Sequence, residues 1–553
     1  MTKTILVIGG YGVFGGHVAR MLCADPALDV VVAGRDEVKA QDFCRMHGGR
    51  PQVLDRNDFA LGEIVNTVAP FAIIDSAAPF QTYADDTYKI AQLAIDCGAH
   101  YLDLSDDSDF TAGIVRLDGA AREACVTVLS GVSSVPALSA AAVEKLSEGL
   151  GDVHLIESVI LPGNRAPRGL SVIKAILAQA GRPLSLWRDG GVEAAPGWSD
   201  LCAIDLDTGE DFHLRKRWAS LIGAPDLALF PDYFKARSVL FRAGLELKIM
   251  HGALAVLSLP VRWGWVSSIV PLASPLKWIA DRLEPFGSDE GGMRVRVLGV
   301  TREKHMEERT WTLVAKGGDG PSIPAVSAVI MINNLINSDV LAGARPCLAE
   351  FSLQEAEEQL AQLQTRTAQH QQVFNPVFAE VLEESFEQLP TPLRDLHTVA
   401  DMRRWRGRAA ITRGKSLLAK LAGFFAGFPP ECADTPVSVV MRRVGTSEVW
   451  ERQFGNHRFR SFLRPARCGG EGTIYERFGA LRFKIGLTVR GDELYFPVLS
   501  GSVLGVPFPR LFLPVSHTKE SVDAQGRAQF DVSISLPLFG EVVTYKGWLE
   551  PVS

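Results

Sequence analysis

The chain has 553 residues, which is too long for a single hydrophobic core, so we expect two or three domains. Its composition, 47% hydrophobic and 22% charged, is that of a globular protein, and its net charge of −7 argues against nucleic acid as a partner. The cysteines are scattered singly, so we expect neither a disulfide framework nor a metal site. The first apolar run, Ile5–Ile8, ends in glycines and predicts a strand, not a secretory signal, and we expect a cytoplasmic protein.

The first 135 residues alternate short apolar strands with amphipathic helices, which is the pattern of a doubly wound parallel sheet built from βαβ units. Gly, Asp, Ser or Pro follows each strand, as expected where loops at the carboxyl edge carry function. We therefore predict an α/β fold class, with a Rossmann-type domain over residues 1–135. The predicted strands are Thr4–Ile8, Asp29–Ala33, Pro51–Leu54, Phe71–Ser76, His100–Leu104 and Val126–Ser130, and the clearest helices are Val13–Cys23 and Tyr83–Cys97.

Beyond residue 135 the pattern changes twice. Residues 136–352 predict an α+β substrate domain, with a helix near 323–335 that returns to the Rossmann domain, and residues 353–373 predict a helical linker. Residues 374–553 predict a C-terminal α+β domain, in which helical patterns up to Phe425 precede an antiparallel sheet. The strands expected in these regions are His154–Leu161, Met293–Val300, Arg309–Lys316, Val437–Val444, Glu448–Phe454, Thr473–Phe478, Leu481–Val489, Phe530–Leu536 and Val542–Leu549.

One segment, residues 249–279, is strongly apolar and carries very few charges. Prolines interrupt it, and neither flank of Arg262 reaches the roughly 18 unbroken apolar residues of a membrane span. We predict a pair of buried helices. The alternative is the wall of an apolar substrate pocket, or a surface that contacts lipid through Trp263, Trp265 and Trp278.

The strongest functional signal is GGYGVFG (9–15), which follows the first predicted strand and opens a helix. Gly10, Gly12 and Gly15 have the G-x-G-x-x-G spacing that permits a tight turn, close approach of a pyrophosphate and close helix packing. The helix N-terminus adds amide donors and a partial positive charge. A glycine-rich turn without a ligand is the alternative. The residues assigned to cofactor binding here are Gly9, Gly10, Gly12, Val13, Phe14 and Gly15.

The end of the second strand predicts which dinucleotide is bound. An NAD site usually carries an acidic residue here, whereas this chain has neutral Gly34 and then the cation Arg35. A guanidinium can bind the 2′-phosphate of NADP through two hydrogen bonds, so we predict NADP(H). Asp36 opposes this preference unless it caps the next helix. Asp55, after the third strand, either meets the adenine amino group or belongs to an exposed turn.

Two further strand ends supply candidate site residues. Small residues after the fourth strand let the backbone approach the nicotinamide ribose, and Pro79-Phe80 would shape the wall beside the ring. A Tyr and an Asp at the end of the fifth strand are candidate proton-transfer groups, although such residues are often structural. The residues assigned are Ser76, Ala77, Ala78, Pro79 and Phe80 for the cofactor, and Tyr101 and Asp103 for catalysis.

Residues 1 to about 350 resemble the saccharopine dehydrogenase-like oxidoreductases. The resemblance implies NADP binding, a Rossmann domain and an α/β domain that closes over the substrate. The family includes opine-type reductases, which reduce imines formed from an amino acid and a carbonyl compound, and trans-acting enoyl reductases, which act on lipid-like chains. The likeness lies in GGYGVFG (9–15), AGR (33–35), DSAAPF (75–80), GAHYLDLSDD (98–107), GGMRVRVLG (291–299), GPSIPAVSAV (320–329) and GARPC (343–347).

The chain departs from the amino-acid branch of that family. Ser105-Asp106-Asp107 stands where members commonly have a Gly-Glu pair, and the substrate domain is unusually apolar. An α-carboxylate would need arginine clamps, for which Arg165 and Arg168 in GNRAPRG (163–169) are the candidates. The alternative is that both are solvent-exposed loop arginines.

The last 180 residues resemble an uncharacterised domain often fused to such oxidoreductases. The aromatic residues of its sheet either enclose an apolar ligand or form an ordinary core. These aromatic residues are Trp450, Tyr475, Phe483 and Trp548, and the likeness lies in LPTPLRDLH (389–397), VWERQFG (449–455), GVPFPRLFLP (505–514) and TYKGWLEP (544–551).

These patterns predict an NADP-dependent oxidoreductase that transfers hydride to or from a hydrophobic, acyl or lipid-like small molecule bound by residues 136–320. One alternative is an opine-type imine reductase acting on an amino-acid-derived substrate. Another is a non-catalytic NADP(H) sensor or lipid-binding protein. The candidate partners are thus a small apolar substrate, a lipid surface reached through residues 249–279, and a second copy of the chain in a homodimer.

Overall fold

The chain is described here by a computed structural model. The described residues are 2–80, 87–209, 211–303, 305–414, 429–466, 472–509, 513–537 and 540–552. They form two compact units, one of residues 1–188 with 192–372 and one of residues 189–191 with 373–553. Elements are numbered along the chain, and the first unit contains two sheets while the second contains one.

The first sheet of the first unit has seven strands, and every pair in it is parallel. Its strands are β1 (Lys3–Ile8), β2 (Leu28–Gly34), β3 (Arg50–Val53), β4 (Ala72–Asp75), β5 (His100–Asp103), β6 (Thr127–Ser130) and β15 (Gly343–Pro346). Its helices are α1 (Val13–Cys23), α2 (Glu37–His47), α3 (Leu61–Val68), α4 (Lys89–Asp96), α5 (Ser108–Gly113) and α6 (Asp118–Glu123). The order β15-β6-β5-β4-β1-β2-β3 is that of a Rossmann sheet, which confirms the predicted fold class.

The order of this sheet reverses between β1 and β4, which is where open α/β sheets bind ligands. Residues 5–8 of β1 are fully buried because helices cover both faces of a central parallel strand. Helix α1 buries Gly15, Val18, Ala19 and Leu22, the three- and four-residue spacing of one helical face. Part of the predicted helix Tyr83–Cys97 lies outside the described residues, and the described part begins at Lys89.

The second sheet of the first unit is mixed, with nine strands. The strands are β7 (Leu150–Leu161), β8 (Pro183–Arg188), β9 (Gly191–Pro196), β10 (Cys202–Asp207), β11 (His213–Leu221), β12 (Val239–Ala243), β13 (Gly291–Thr301), β14 (Met306–Ala315) and β16 (Thr365–Val373). The helices are α7 (Ser139–Ser147), α8 (Leu170–Gln179), α9 (Pro225–Phe234), α10 (Lys248–Arg262), α11 (Ala273–Leu283), α12 (Ile323–Ile336) and α13 (Leu353–Leu360). β13 and β14 form the antiparallel hairpin that the sequence predicts. Just before α12, Ser322 Oγ lies 2.9 Å from His17 Nδ1 of α1.

The helical linker predicted over residues 353–373 is wrong in its second half. Helix α13 ends at Leu360, and Thr365–Val373 forms β16, the edge strand beside β14. The strand sequence TRTAQHQQV has no regular apolar alternation, because its side chains are mostly exposed and its backbone pairing holds it in place. The sequence pattern therefore gave no strand signal.

The burial predicted for residues 249–279 is also wrong. The two helices are present as α10 and α11, but the indole side chains of Trp263, Trp265 and Trp278 are 56%, 73% and 60% exposed. Apolar composition alone could not show that these side chains project away from the core. Among the described residues, no helix is both long and apolar enough to cross a membrane.

The second unit is built on an antiparallel sheet of fourteen strands. Its helices are α14 (Val377–Leu382), α15 (Glu384–Glu387) and α16 (Thr391–His397). Its strands are β17 (Met402–Arg413), β18 (Cys432–Val444), β19 (Ser447–Phe454), β20 (His457–Pro465), β21 (Thr473–Phe478), β22 (Leu481–Gly486), β23 (Thr488–Arg490), β24 (Glu493–Tyr495), β25 (Val498–Val503), β26 (Val506–Pro507), β27 (Val515–Ser516), β28 (Lys519–Val522), β29 (Ala528–Leu536) and β30 (Gly540–Pro551).

The helical pattern predicted up to Phe425 fails within this sheet. Met402–Arg413 is strand β17, which pairs with β18 on one side and with β30 on the other. The pairing with β30 joins residues far apart in the chain, so the local pattern does not reveal it. Residues 415–428 lie outside the described residues.

Candidate functional site

The loop after β1 leaves no room for side chains at its glycines. The backbone N–H groups of Gly9 and Gly10 donate hydrogen bonds to Ala33 O at 2.8 and 3.1 Å, and Gly9 has a φ of +76°. A Cβ atom at Gly10 would lie 2.8 Å from Val7 O, and one at Gly15 would lie 2.2 Å from Ser76 Oγ. The loop is thus a compact cradle at the switch point of the sheet.

Helix α1 begins directly after this cradle. Gly12 is its N-cap, makes no side-chain cap, and donates its N–H to Gly9 O at 2.8 Å. The amides of Val13, Phe14 and Gly15 stand in the first turn, where a helix has no carbonyl partners for them. Such a turn carries a partial positive charge, so the residues present fit the pyrophosphate of a dinucleotide.

Tyr11 is a site residue that sequence reasoning missed. Its hydroxyl oxygen accepts a hydrogen bond from the N–H of Asp36 at 2.8 Å, so the glycine loop is tied to the end of β2. A Cβ atom at Gly34 would lie 2.4 Å from the Tyr11 ring, which explains the glycine there. The signal available in the sequence was a tyrosine inside the glycine motif, beside the small residue that ends β2.

Arg35 and Asp36, which follow β2, carry opposite charges and have different roles. Arg35 is exposed and makes no hydrogen bond or ion pair with any residue that the structure describes. Asp36 caps α2, because its Oδ1 accepts from Lys39 N at 3.1 Å and its Oδ2 lies 3.3 Å from Lys39 Nζ. The hydrogen bond from the Lys39 backbone lowers the pKa of Asp36. Arg56, after β3, is a second cation at this edge and donates to Ala77 O at 2.5 Å.

The remaining residues assigned to the cofactor lie at the same sheet edge but differ in exposure. Asp55 Oδ1 accepts from Asn57 N at 3.0 Å, which is the turn that the sequence left as its alternative. Ser76 Oγ donates to Ile8 O at 2.6 Å and so joins the ends of β4 and β1. Phe80 is buried, and its ring lies 5.0 Å from that of Phe110.

Tyr101 and Asp103 both lie inside the first sheet. Tyr101 is 1% exposed within the apolar core, and its hydroxyl makes a long contact of 3.5 Å to Asp75 Oδ2. Asp103 is fully buried, and its Oδ1 accepts from Ser105 N, Ser130 Oγ and Gly131 N at 3.0, 2.9 and 2.9 Å. The contacts of Asp103 hold the loops after β5 and β6. These contacts and the burial of Tyr101 support the structural alternative for the two residues.

The buried carboxyl group of Asp103 is electrostatically unusual. Its Oδ2 makes no hydrogen bond among the described residues. Desolvation raises the pKa of Asp103 to about 7, and the neighbouring carboxyl group of Asp75 adds to the rise against the three hydrogen bonds. The surroundings of Asp103 therefore disfavour the charged form of its carboxyl group.

Arg165 and Arg168 both donate hydrogen bonds to oxygen atoms of the protein. Arg165 is exposed and donates to Pro285 O at 3.3 Å. Arg168 is half-buried and donates to the backbone carbonyl and, at 2.9 Å, to the side-chain oxygen of Asn164. Burial lowers the pKa of Arg168. Both guanidinium groups thus already have acceptors within the protein, whereas a carboxylate clamp needs donors directed at the ligand.

Asp107, in the segment that departs from the family pattern, caps helix α5. Its Oδ1 accepts from Phe110 N at 2.8 Å. Ser105, in the same segment, is fully buried. This segment therefore leads into helix α5, and the side chains of Asp107 and Ser105 serve the local structure.

A buried ion network in the second sheet was also missed by sequence reasoning. Glu157 contacts Arg242 at 2.8 Å, Arg294 at 3.2 Å and Arg296 at 3.5 Å. Burial alone would raise the pKa of Glu157, but the three guanidinium groups outweigh it and lower the pKa to about 2. The members come from β7, β12 and β13, so no sequence spacing could reveal the cluster.

Two protein-family models match segments of the chain. Residues 5–129 match the model described as saccharopine dehydrogenase NADP binding domain, and residues 389–549 match that of DUF4166, a domain of unknown function. The resemblance stated from the sequence is confirmed for these segments. Residues 5–129 thus carry an NADP-binding domain of the saccharopine dehydrogenase type, and the cofactor of this domain is NADP(H).

Several solved structures are similar to the chain. Saccharopine dehydrogenase (L-Glu forming) from Saccharomyces cerevisiae has 16% identity and a TM-score of 0.48, over 66% of this chain and 100% of that one. A probable dehydrogenase from Thermotoga maritima has 10% identity and a TM-score of 0.31, over 65% and 93%. Biliverdin reductase from Synechocystis sp. PCC 6803 has 12% identity and a TM-score of 0.29, over 65% and 96%. Among curated proteins, no sequence match to the chain is found.

Proposed function

We propose that the chain is an oxidoreductase that prefers NADP(H) to NAD(H) and transfers hydride to or from an apolar, acyl or lipid-like substrate. The observation that carries the cofactor preference is the end of β2, where Arg35 is exposed while the carboxylate of Asp36 is held by the cap of α2. A 2′-phosphate would meet a guanidinium there and not a competing carboxylate.

The chain's own residues would hold the cofactor at three places. The amides of α1 would bind the pyrophosphate, Arg35 the 2′-phosphate, and the loop after β4, from Ser76 onward, would lie beside the nicotinamide ribose. The bound nicotinamide supplies hydride chemistry. Ser76 orients its loop through the 2.6 Å hydrogen bond to Ile8 O, which keeps that loop against the glycine cradle.

An apolar substrate is favoured because the candidate polar groups of the first unit are used for hydrogen bonds within the protein. Arg165 and Arg168 donate to backbone and amide oxygens, so they give poor support to an α-carboxylate clamp. Asp107 is used as a helix cap. An opine-type imine reductase needs a site for an amino-acid carboxylate, and this makes it the second candidate.

A lipid surface is the partner that the exposed side chains of α10 and α11 fit best. Ile249, Val256 and Trp263 recur every seven residues and so form one exposed stripe along α10. Trp278 on α11 is exposed too, with the guanidinium of Arg282 4.7 Å from its ring centre. Exposed indoles beside cations are typical of helices that lie in a membrane interface.

The test of this function is a turnover assay with NADPH on the full chain. One panel would contain enoyl thioesters and enals of increasing chain length, and the other would contain α-keto acids paired with amino acids. We expect oxidation of NADPH by the first panel, with rates that rise with chain length. Turnover only in the second panel would establish the imine reductase, and tight NADPH binding with no turnover in either would favour the non-catalytic sensor.

A pair of variants controls this assay. Gly12→Asp places a carboxylate at the N-terminus of α1, where it would repel the pyrophosphate, so we expect NADPH oxidation to be abolished. Gly119→Asp adds the same charge at an exposed glycine in the first turn of α6, where a Cβ atom meets nothing within 4 Å. Equal activity of both variants would mean that the glycine cradle does not bind the cofactor.

A further inference from the structure

The sheet of the second unit lines a cavity of about 400 Å³. Most strands between β18 and β30 contribute side chains to it, and Phe378 and Leu396 of the short helices form another part of the wall. Protein interiors are normally packed to the density of organic crystals, and voids much larger than a water molecule are few. A void of this volume lies in the range of small-molecule sites, not of packing defects.

The wall of the cavity is almost entirely apolar. Phenylalanines are prominent in it, among them Phe454, Phe459, Phe483, Phe496 and Phe530. Water would find few hydrogen-bond partners on such a surface, so the cavity is suited to an apolar molecule and not to a cluster of ordered water. Of the aromatic residues noted in the sequence, Trp450 and Phe483 line the cavity, whereas Tyr475 and Trp548 do not.

The charged side chains that reach the cavity are already paired within its wall. Arg452 donates to Ser461 Oγ at 2.7 Å, pairs with Glu476 at 3.3 Å, and stacks 4.7 Å from the ring centre of Trp450. It is the only cation that lines the cavity in the part of the chain that the structure describes.

The remaining charged group, Glu520, is paired with a buried histidine. Glu520 Oε2 lies 2.6 Å from Nε2 of His397, which is itself fully buried and stacked 3.8 Å from the ring of Phe378. A ligand carboxylate or phosphate would therefore approach Glu476 and Glu520 without gaining an uncommitted cation. A ligand ammonium would likewise have to displace Arg452 or His397 from its carboxylate.

We propose that this cavity is a binding site for an uncharged apolar molecule of lipid character. The site lies wholly within the second unit and does not depend on nucleotide binding in the first. It gives the C-terminal domain a function of its own, the retention of a neutral hydrophobic ligand. The volume fits a small molecule, and the apolar wall and the internally paired charges select against charged or strongly polar ligands.

A filling mutation on β29 tests this site. The side chains of Phe530, Val532 and Ile534 alternate toward the cavity, while Gln529 lies on the opposite, exposed face. Val532→Trp should occupy the cavity, and Gln529→Trp adds the same side chain to the same strand outside it. The probe is Nile red, an uncharged apolar dye, titrated into the full chain and followed by its fluorescence.

We expect saturable binding of one dye per chain, weakened at least about tenfold by Val532→Trp and unchanged by Gln529→Trp. The variant Trp263→Ala/Trp265→Ala/Trp278→Ala should leave dye binding unchanged, since it alters only the exposed surface of α10 and α11. Loss of binding in that variant, equal binding in Val532→Trp and the native chain, or no saturable binding at all would overturn the proposal. If Val532→Trp fails to fold by circular dichroism, Ile534→Phe replaces it with the same expected direction.

A second readout is independent of fluorescence. Native mass spectrometry of the full chain mixed with the dye should show one bound molecule, and Val532→Trp should show none at the same concentration. NADPH binding should be equal in Val532→Trp and the native chain. An equal loss of both ligands would indicate general damage and contradict a separate site.

Discussion

Ser76 lies so close to Gly15 that a Cβ atom on Gly15 would stand 2.2 Å from Ser76 Oγ and 2.3 Å from Gly9 O. The third glycine of the motif is therefore required by the loop after β4 as well as by the glycine cradle. Ser76 Oγ cannot easily move away, because it donates to Ile8 O at 2.6 Å. The glycine loop and the loop after β4 are thus held close together at the switch point of the sheet.

Gly15→Ala should weaken NADPH binding at least about tenfold, because the new methyl group must push apart backbone and a fixed hydroxyl. Gly119→Ala is the matched control, since its Cβ would meet nothing within 4 Å in helix α6. It should bind NADPH normally and unfold at an equal or slightly higher temperature. Equal binding of NADPH by the two variants would contradict the requirement for glycine at position 15.

Arg35→Ala should weaken NADPH by about tenfold or more and NADH by less than about twofold, because only NADPH carries the 2′-phosphate. Arg45→Ala serves as the control. Arg45 is a cation in helix α2, the helix that follows Arg35, and it pairs with Asp42 at 2.9 Å. Both affinities are measured by cofactor fluorescence. Equal losses of the two cofactors in Arg35→Ala would remove the basis for NADP preference.

Asp103→Asn should change stability in a pH-dependent way. Folding raises the pKa of Asp103 to about 7, so in the native chain stability is lost as pH rises from about 4, where the unfolded carboxyl ionises, to about 7. The asparagine variant lacks this loss. Its unfolding free energy relative to the native chain should therefore rise by a few kcal/mol between pH 4 and pH 7 and then level off.

The measurement is urea unfolding at a series of pH values. Asp226, a second buried carboxyl whose pKa burial raises to about 7, is present in both proteins, so its contribution cancels from the difference. A difference that does not vary with pH would show that Asp103 is ionised in the folded chain throughout this range.

Tyr101→Phe separates the structural alternative from the catalytic one. The hydroxyl makes a long contact of 3.5 Å to Asp75 Oδ2 inside the core, so we expect the loss of this contact to cost no more than about 1 kcal/mol. NADPH turnover should stay within about twofold of the native chain. A fall in kcat of a hundredfold with an unchanged melting temperature would instead establish Tyr101 as a proton-transfer group.

Much of the Rossmann sheet could be predicted because its signals are local. The strand before Gly9 is a continuous apolar run, and the glycine spacing carries its own geometric reason. The burial of Tyr101 and Asp103 could not be predicted. In a parallel sheet covered on both faces, a polar residue near a strand end can point into the core as readily as into the cleft.

Residues that meet only through tertiary structure were missed for a different reason. Glu157 and Arg294 are far apart in the chain, and their contact at 3.2 Å depends on the register of β7 with β13. Residues 249–279 show the reverse error, because their apolar composition predicted burial while the stripe of Ile249, Val256 and Trp263 faces outward. Composition measures how apolar a helix is, but only packing decides which face is covered.

The outward stripe leads to a prediction about membranes. The full chain should bind vesicles of phosphatidylcholine and phosphatidylserine in a flotation assay, and Trp263→Ala/Trp265→Ala/Trp278→Ala should reduce binding about tenfold. Phe59→Ala is the control, because Phe59 is an isolated, 99% exposed aromatic residue after β3. Equal loss in the control, or no binding by the native chain, would rule out a lipid surface as the partner of α10 and α11.

The most direct test of the central claim is a titration of the purified full chain with NADPH and, separately, with NADH. We expect saturable binding of one NADPH per chain in the micromolar range or tighter, and binding of NADH at least about tenfold weaker. Absence of binding by either cofactor would mean that the glycine cradle is only structural, and equal binding of both would contradict the role given to Arg35.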